Sequence, residues 1–229
     1  MKNVLTTSNT KMLKGEKLGY QTSILHFAPA ESSGRQVCPK ASHGCVRGCL
    51  NTAGRGKFAR TQAYRIAKTR RFFEEKAAFM ADLHRSIQAA QRKAVREGLT
   101  VAIRLNGTSD IAWERQAYEH QGIRYQSPMD AFPTVQFYDY TKRLGRHVPA
   151  NYHLTYSRSE TNELDCRLAL REGLNVAVVF AGALPATYLG RPVVTGDESD
   201  LRFLDPNGVI VGLTPKGDAK QDCSGFVVR

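Results

Sequence analysis

Three cysteines stand in Cys38-Pro39-Lys40-Ala41-Ser42-His43-Gly44-Cys45-Val46-Arg47-Gly48-Cys49, a C-x6-C-x3-C array. Thiolates are soft ligands, so cysteines clustered in a reducing compartment point to a metal or an iron–sulfur cluster rather than to disulfides. Glycines at 34, 44, 48, 54 and 56 let such a loop wrap closely around its cargo. Three ligands are one fewer than a closed structural site uses. Either His43 or the distant thiol Cys223 supplies a fourth, or one metal stays open to a small ligand. Cys166, in an expected helix, and Cys223, near the C-terminus, have no motif spacing and otherwise read as buried, unliganded thiols.

A second set of chemistry-bearing residues follows short apolar runs. Asn106-Gly107-Thr108-Ser109-Asp110 comes after one such run, Asp139-Tyr140-Thr141-Lys142 after another, Ser157-Arg158-Ser159-Glu160 after a third and Thr214-Pro215-Lys216-Gly217 after the last. Asn106 and Ser109 suit the amino group or ribose of a nucleoside-like ligand; the alternative is an Asn-Gly turn capped by Asp110. Asp139 and Lys142 either pair at the surface or meet a charged ligand. Arg158 suits a carboxylate or phosphate, with Ser157 and Glu160 beside it, while Ser159 also fits a helix N-cap. Asp197, Glu198 and Asp200 match no calcium loop and read as a polar turn.

These residues need a frame that gathers them. The runs 23–27, 101–105, 135–138, 152–156, 176–180 and 209–213 read as six strands. A helix over 60–97 carries Phe73, Ala77, Met80, Leu83, Ile87, Ala90 and Ala94 on one face and a solvated basic face opposite. A shorter helix over 160–171 carries Leu164 and Leu168. Strand–helix–strand alternation predicts an α/β fold with parallel strands, a partial (β/α) barrel whose polar strand ends meet at one mouth. The connection 107–133 is long enough for a lid, or simply packs through Trp113 and Phe132.

A cysteine loop after the first strand of such a fold resembles the radical S-adenosylmethionine (SAM) enzymes, whose usual spacing is C-x3-C-x2-C. That resemblance implies a radical-SAM-like barrel and a [4Fe-4S] cluster on Cys38, Cys45 and Cys49. It also implies SAM on the open iron, with Asn106, Ser109, Asp139, Lys142, Ser157, Arg158 and Glu160 around it, and an electron donor supplied by the host. Nearly the whole chain is also identified as a member of a phage and plasmid family built on a gene-product-eighty-eight-like domain. The matching phrases are Lys14–Tyr20, Cys38–Gly56, Arg104–Asp110, Phe137–Lys142, Thr155–Glu160 and Asp222–Phe226.

Composition sets the outer limits. The 229 residues suit one domain, and 41% hydrophobic with 24% charged residues excludes a disordered or low-complexity chain. The longest apolar run, near 176–184, is too short to span a membrane. Residues 1–8 lack the apolar core of a signal peptide, so a cytoplasmic protein is expected. No Walker loop or nucleophile elbow occurs. A net charge of +12 attracts polyanions. Two rival readings follow: an iron–sulfur or zinc module that binds nucleic acid through this basic surface, and a zinc-stapled loop with no chemistry of its own.

Overall fold

The computed structural model describes residues 3–6 and 14–229, so half of the stretch 1–8 on which the N-terminal expectation rests lies outside the described residues. Six β-branched and aromatic runs form parallel strands that lie side by side in chain order: β1 (Tyr20–Ile24), β2 (Thr100–Arg104), β5 (Gln136–Thr141), β6 (Tyr152–Ser157), β7 (Val176–Phe180) and β10 (Ile210–Leu213). Two hairpins were missed from sequence. One is β3 (Tyr118–His120) with β4 (Ile123–Tyr125); the other is β8 (Thr187–Tyr188) with β9 (Arg191–Thr195), and β9 continues the sheet beside β10. A last strand, β11 (Val227–Val228), pairs with β7 beyond the point where β6 leaves it. The result is a largely parallel nine-strand sheet that stays open; the strands do not close into a barrel.

The predicted first strand sits three residues too late, although Leu25 and Phe27 are still fully buried. The long helix is two. After the short α1 (His43–Arg47), α2 (Ala59–Glu74) and α3 (Lys76–Arg96) are separated at Glu75, which leaves helical geometry at φ −128°, ψ 47°. Just before and after the break the buried stripe departs from the expected one. Phe72 and Phe79 enter the core and Phe73 and Ala77 face solvent, whereas Met80, Leu83, Ile87, Ala90 and Ala94 are buried as expected. Arg71 spans the break to Asp82 at 2.7 Å.

In the connection after β2, Trp113 is fully buried against Phe27 and Phe72 and Phe132 is buried near it, so the segment is core packing. Ser127 caps the one-turn α4 (Pro128–Ala131). The second predicted helix, α5, spans Glu163–Arg171 with Asn162 at its N-cap position. It buries Cys166, Ala169 and Leu170, leaving Leu164 and Leu168 exposed.

On the other side of the sheet a short turn, Arg202–Leu204, lies over β5 and β6, with Leu201 packed on Ala102 and Tyr138. This inner face is polar. Arg104 bridges to Asp200 at 2.8 Å and stacks on Tyr140.

Lys68 of α2 is buried, its ammonium donating to the Val4 carbonyl at 3.0 Å. Burial, then the charge of Arg65, pushes its pKa from 10.5 down to about 7. Between those two values the unfolded chain holds a proton that the fold rejects. Wild type should therefore gain stability relative to Lys68→Met as pH rises from 7 to about 10, by up to ~1.4 kcal/mol per pH unit. Urea unfolding at three pH values reads this; a constant difference between the two proteins contradicts it.

Candidate metal and ligand site

The cysteine loop leaves β1 and lies across the carboxyl ends of the parallel strands, held from four directions. From the β2 loop, the Thr108 carbonyl lies 3.8 Å from the Cys38 sulfur, which also accepts the Ala30 N–H at 3.4 Å. From the β6 loop, Glu160 takes both the Ser42 hydroxyl and the Gly44 N–H at 2.7 Å. Ser42 in turn caps α1 by accepting the Cys45 N–H. From α2, Arg65 donates to Asn51 at 2.6 Å. From the β10 loop, the Asp218 N–H reaches Thr52, where a side chain at Gly217 would strike the Thr52 backbone.

Gly44 fits this setting for a steric reason. A Cβ there would stand 2.1 Å from Ser224 Oγ, 2.7 Å from Phe226 Cβ and 2.9 Å from Glu160 Oε2. The turn over Asp222–Phe226 thus sits directly on α1. It is shaped by Asp222, which accepts the N–H groups of Ser224 and Val227, and anchored by Arg158, which donates to the Gly225 and Phe226 carbonyls at 2.7 and 3.0 Å.

Cys38, Cys45 and Cys49 are half-buried and unbridged. They are near enough to sense one another: Cys38 feels the charge of Cys49 and Cys45, and Cys49 that of Cys45. Burial is the main cause that pushes the Cys38 thiol up to about 12, and it raises Cys49 as well, against the pull of the Asn51 N–H, Arg65 and Lys142. Among the described residues, no three His, Cys, Asp or Glu side chains stand together at metal-ligand distance. The donor set is three soft thiols with backbone N–H groups aimed at sulfur and cations beside them. That chemistry suits a cluster of net negative charge. His43 is exposed, Cys166 is buried in α5 against Asn162 as expected, and Cys223, expected to be buried, is instead exposed in the turn that rides on α1.

The other predicted residues divide into two groups. Lys142 and Ser157 meet at the mouth, Nζ to Oγ 3.0 Å, and the lysine's charge reaches Cys49 and Cys166. Glu160 grips the cysteine loop; burial alone would raise its carboxyl, but the bonds from Ser42 and Gly44 hold it below the usual range. Arg158 is committed to backbone carbonyls through Nη1. Asn106, Ser109 and Asp139 are turned inward. The Asn106 carbonyl accepts from Ser109, Ile111 and Trp113, its backbone N–H donates to Asp139, and Tyr152 donates to Asp139 as well. Burial pushes Asp139 up to about 7 against the pull of Arg104 and these donors. The Asp197 turn is closed by Thr214 and Lys216, as a polar turn should be.

Several residues here carried no motif. His26 lies under the loop, where burial and then Arg65, Arg104 and Lys68 push its pKa down to about 3. On the inner sheet face Thr22 Oγ1, Tyr138 OH, His153 Nε2 and Thr155 Oγ1 are buried without a hydrogen-bond partner among the described residues. Tyr138 and His153 are direct cross-strand neighbours, as are Tyr140 and Thr155. The only sequence signal was period-2 alternation, which puts polar residues of β1, β5 and β6 on one face. A groove of about 230 Å³ opens beside β6, lined by Arg143, Arg146, His153 and Asn175 among others, and no cysteine lines it.

A family model described as Gene product 88 matches residues 3–229. No curated protein and no solved structure matches the chain.

Proposed function

The chain belongs to the Gene product 88 family, and we propose that it is an iron–sulfur protein in which Cys38, Cys45 and Cys49 hold a [4Fe-4S] cluster with one iron open. One observation carries this reading: three free, half-buried thiols ride on a loop fixed from four directions over the carboxyl ends of a parallel sheet, the edge where such folds place their sites. When bound, the cluster supplies one-electron chemistry and a Lewis-acidic iron. Ligand binding at that iron, by SAM or a related small polar molecule as in radical-SAM-like proteins, falls to Lys142 and Ser157 at the mouth. The unpartnered hydroxyls and imidazole of the inner face supply donors and acceptors below it; natural folds leave few such groups unsatisfied. Asn106, Ser109, Asp139, Arg158 and Glu160 hold the surrounding loops. Lys142 and Arg65 balance anionic charge, and reducing electrons come from a separate donor.

Anaerobic purification with metal and sulfide analysis, followed by electron paramagnetic resonance of the reduced protein with and without SAM, tests this. The expected result is about four irons and four sulfides per chain, lost in Cys45→Ser, with a spectrum that shifts on adding SAM. Stoichiometric zinc without sulfide overturns it in favour of a stapled loop. A cluster indifferent to SAM leaves a redox or structural iron–sulfur protein and removes the ligand assignment.

A further inference from the structure

The positive charge of this protein is concentrated in one place. From Ser32 to Phe73 the sequence contains no aspartate or glutamate but ten lysines and arginines, so that segment accounts for all but +2 of the formal +12. It is the segment that carries the three cysteines. Five of its cations, Lys40, Arg47, Arg55, Lys57 and Arg60, are exposed and form no ion pair among the described residues. Between them the loop exposes Val46 (47%), Leu50 (49%) and Phe58 (54%).

Several cations elsewhere in the fold are paired with acids, whereas Arg92 and Arg96, which flank the exposed Val95 on α3, form no ion pair among the described residues. Arg71 and Arg85 both grip Asp82, and Lys93 and Arg167 pair with acids one helical turn away. Aliphatic side chains half out of water within a fringe of unpaired cations have the make-up of a protein interface, an apolar centre with a charged rim. A polynucleotide would use the cations and could stack on Phe58, but it offers no matching surface to Val46 and Leu50.

We propose that the outer surface of the cysteine loop, Lys40 to Arg60, is the docking surface for an acidic redox protein, whose carboxylates face the cations around a contact on Val46, Leu50 and Phe58. The redox character of the partner rests on the iron–sulfur reading, because an electron donor must approach the loop that holds the cluster. The acidity of the partner rests only on the charges and exposures. Opposite charge steers such an encounter, so association weakens as salt rises.

The test measures binding of a purified acidic flavodoxin, and separately of a 20-nucleotide single strand, by calorimetry at 50 and 300 mM salt. The proteins are wild type, Arg55→Glu/Lys57→Glu/Arg60→Glu, and the control Arg92→Glu/Arg96→Glu on the exposed face of α3. Circular dichroism and iron and sulfide content are recorded on each. Supporting the proposal is flavodoxin binding that falls at least tenfold in the loop variant and with salt, and is unchanged in the control. Binding of the oligonucleotide alone, lost in the loop variant, overturns it in favour of a nucleic-acid surface; binding of neither probe overturns it outright. Flavodoxin binding by a protein without iron or sulfide upholds the acidic docking surface and overturns its redox role. A full cluster without docking defeats this inference and leaves the cofactor reading standing.

Discussion

Asn106→Ala should lower the unfolding free energy by about 3–5 kcal/mol, and the thermal midpoint by roughly 10 °C. Its side-chain carbonyl accepts from the Ser109 hydroxyl at 2.8 Å, the Ile111 N–H at 2.9 Å and the Trp113 indole at 3.2 Å, while its amide donates to the Ile111 carbonyl. Alanine removes these four bonds and a fifth, longer one from the amide to Asp139 Oδ2, and leaves the buried indole and the Ile111 N–H without an acceptor. Trp113 is also the aromatic centre that Phe27 and Phe72 pack against, so the damage reaches the core under α2 and α3. Asn106→Asp keeps the acceptor but sets a second carboxylate 3.4 Å from Asp139 Oδ2, so it should also be destabilising, and more so at high pH. A loss below 1 kcal/mol in urea unfolding of Asn106→Ala would show that this side chain is free for a ligand after all.

Gly44→Ala should unseat the cysteine loop while sparing the sheet. The added methyl meets Ser224 Oγ, which can turn away, and Phe226 Cβ, which cannot, because Arg158 holds the Phe226 carbonyl. Forcing a methyl into such a contact costs about 1–3 kcal/mol, and the local remedy is for α1 to lift off the Asp222–Phe226 turn. Trypsin cleavage at Arg47 should then accelerate at least tenfold, and on the iron–sulfur reading proposed above, iron retained after purification should fall by a similar factor. Wild-type cleavage and iron content in Gly44→Ala would mean that the turn does not seat the loop.

The frame of this fold is legible because burial on both faces of a parallel sheet demands apolar, β-branched runs, and Val101–Leu105 or Val176–Phe180 can do little else. The hairpins were not. Tyr118–His120 and Ile123–Tyr125 are three residues long and take their pairing from docking on α3, where His84 stacks on His120 at 4.1 Å. The helix break at Glu75 left no proline or glycine to mark it. At the site, the cysteines announced themselves by type and spacing, and the polar strand ends by position. Whether a polar strand end faces a ligand or its own loop is decided by bonds to residues far along the chain, as with Asn106 and Trp113 or Arg158 and Phe226. His26 and Arg65 had no spacing to flag them, since their role comes only from the crossing of α2 over the strand ends.

The groups that grip the cysteine loop lie far from it in the chain: Glu160 is 118 positions from Ser42, and Asp218 is 166 from Thr52. Contacts of that span close late in folding. The expected order of assembly is sheet first and loop last, which for an interval leaves the three thiols on a tethered but unseated peptide. An oxidant present then finds nearby cysteines free to cross-link with one another, whereas the same oxidant added to the finished fold finds Cys38 half-buried between Ala30 and Thr108. Refolding yield should depend on reductant far more than the stability of the folded protein does.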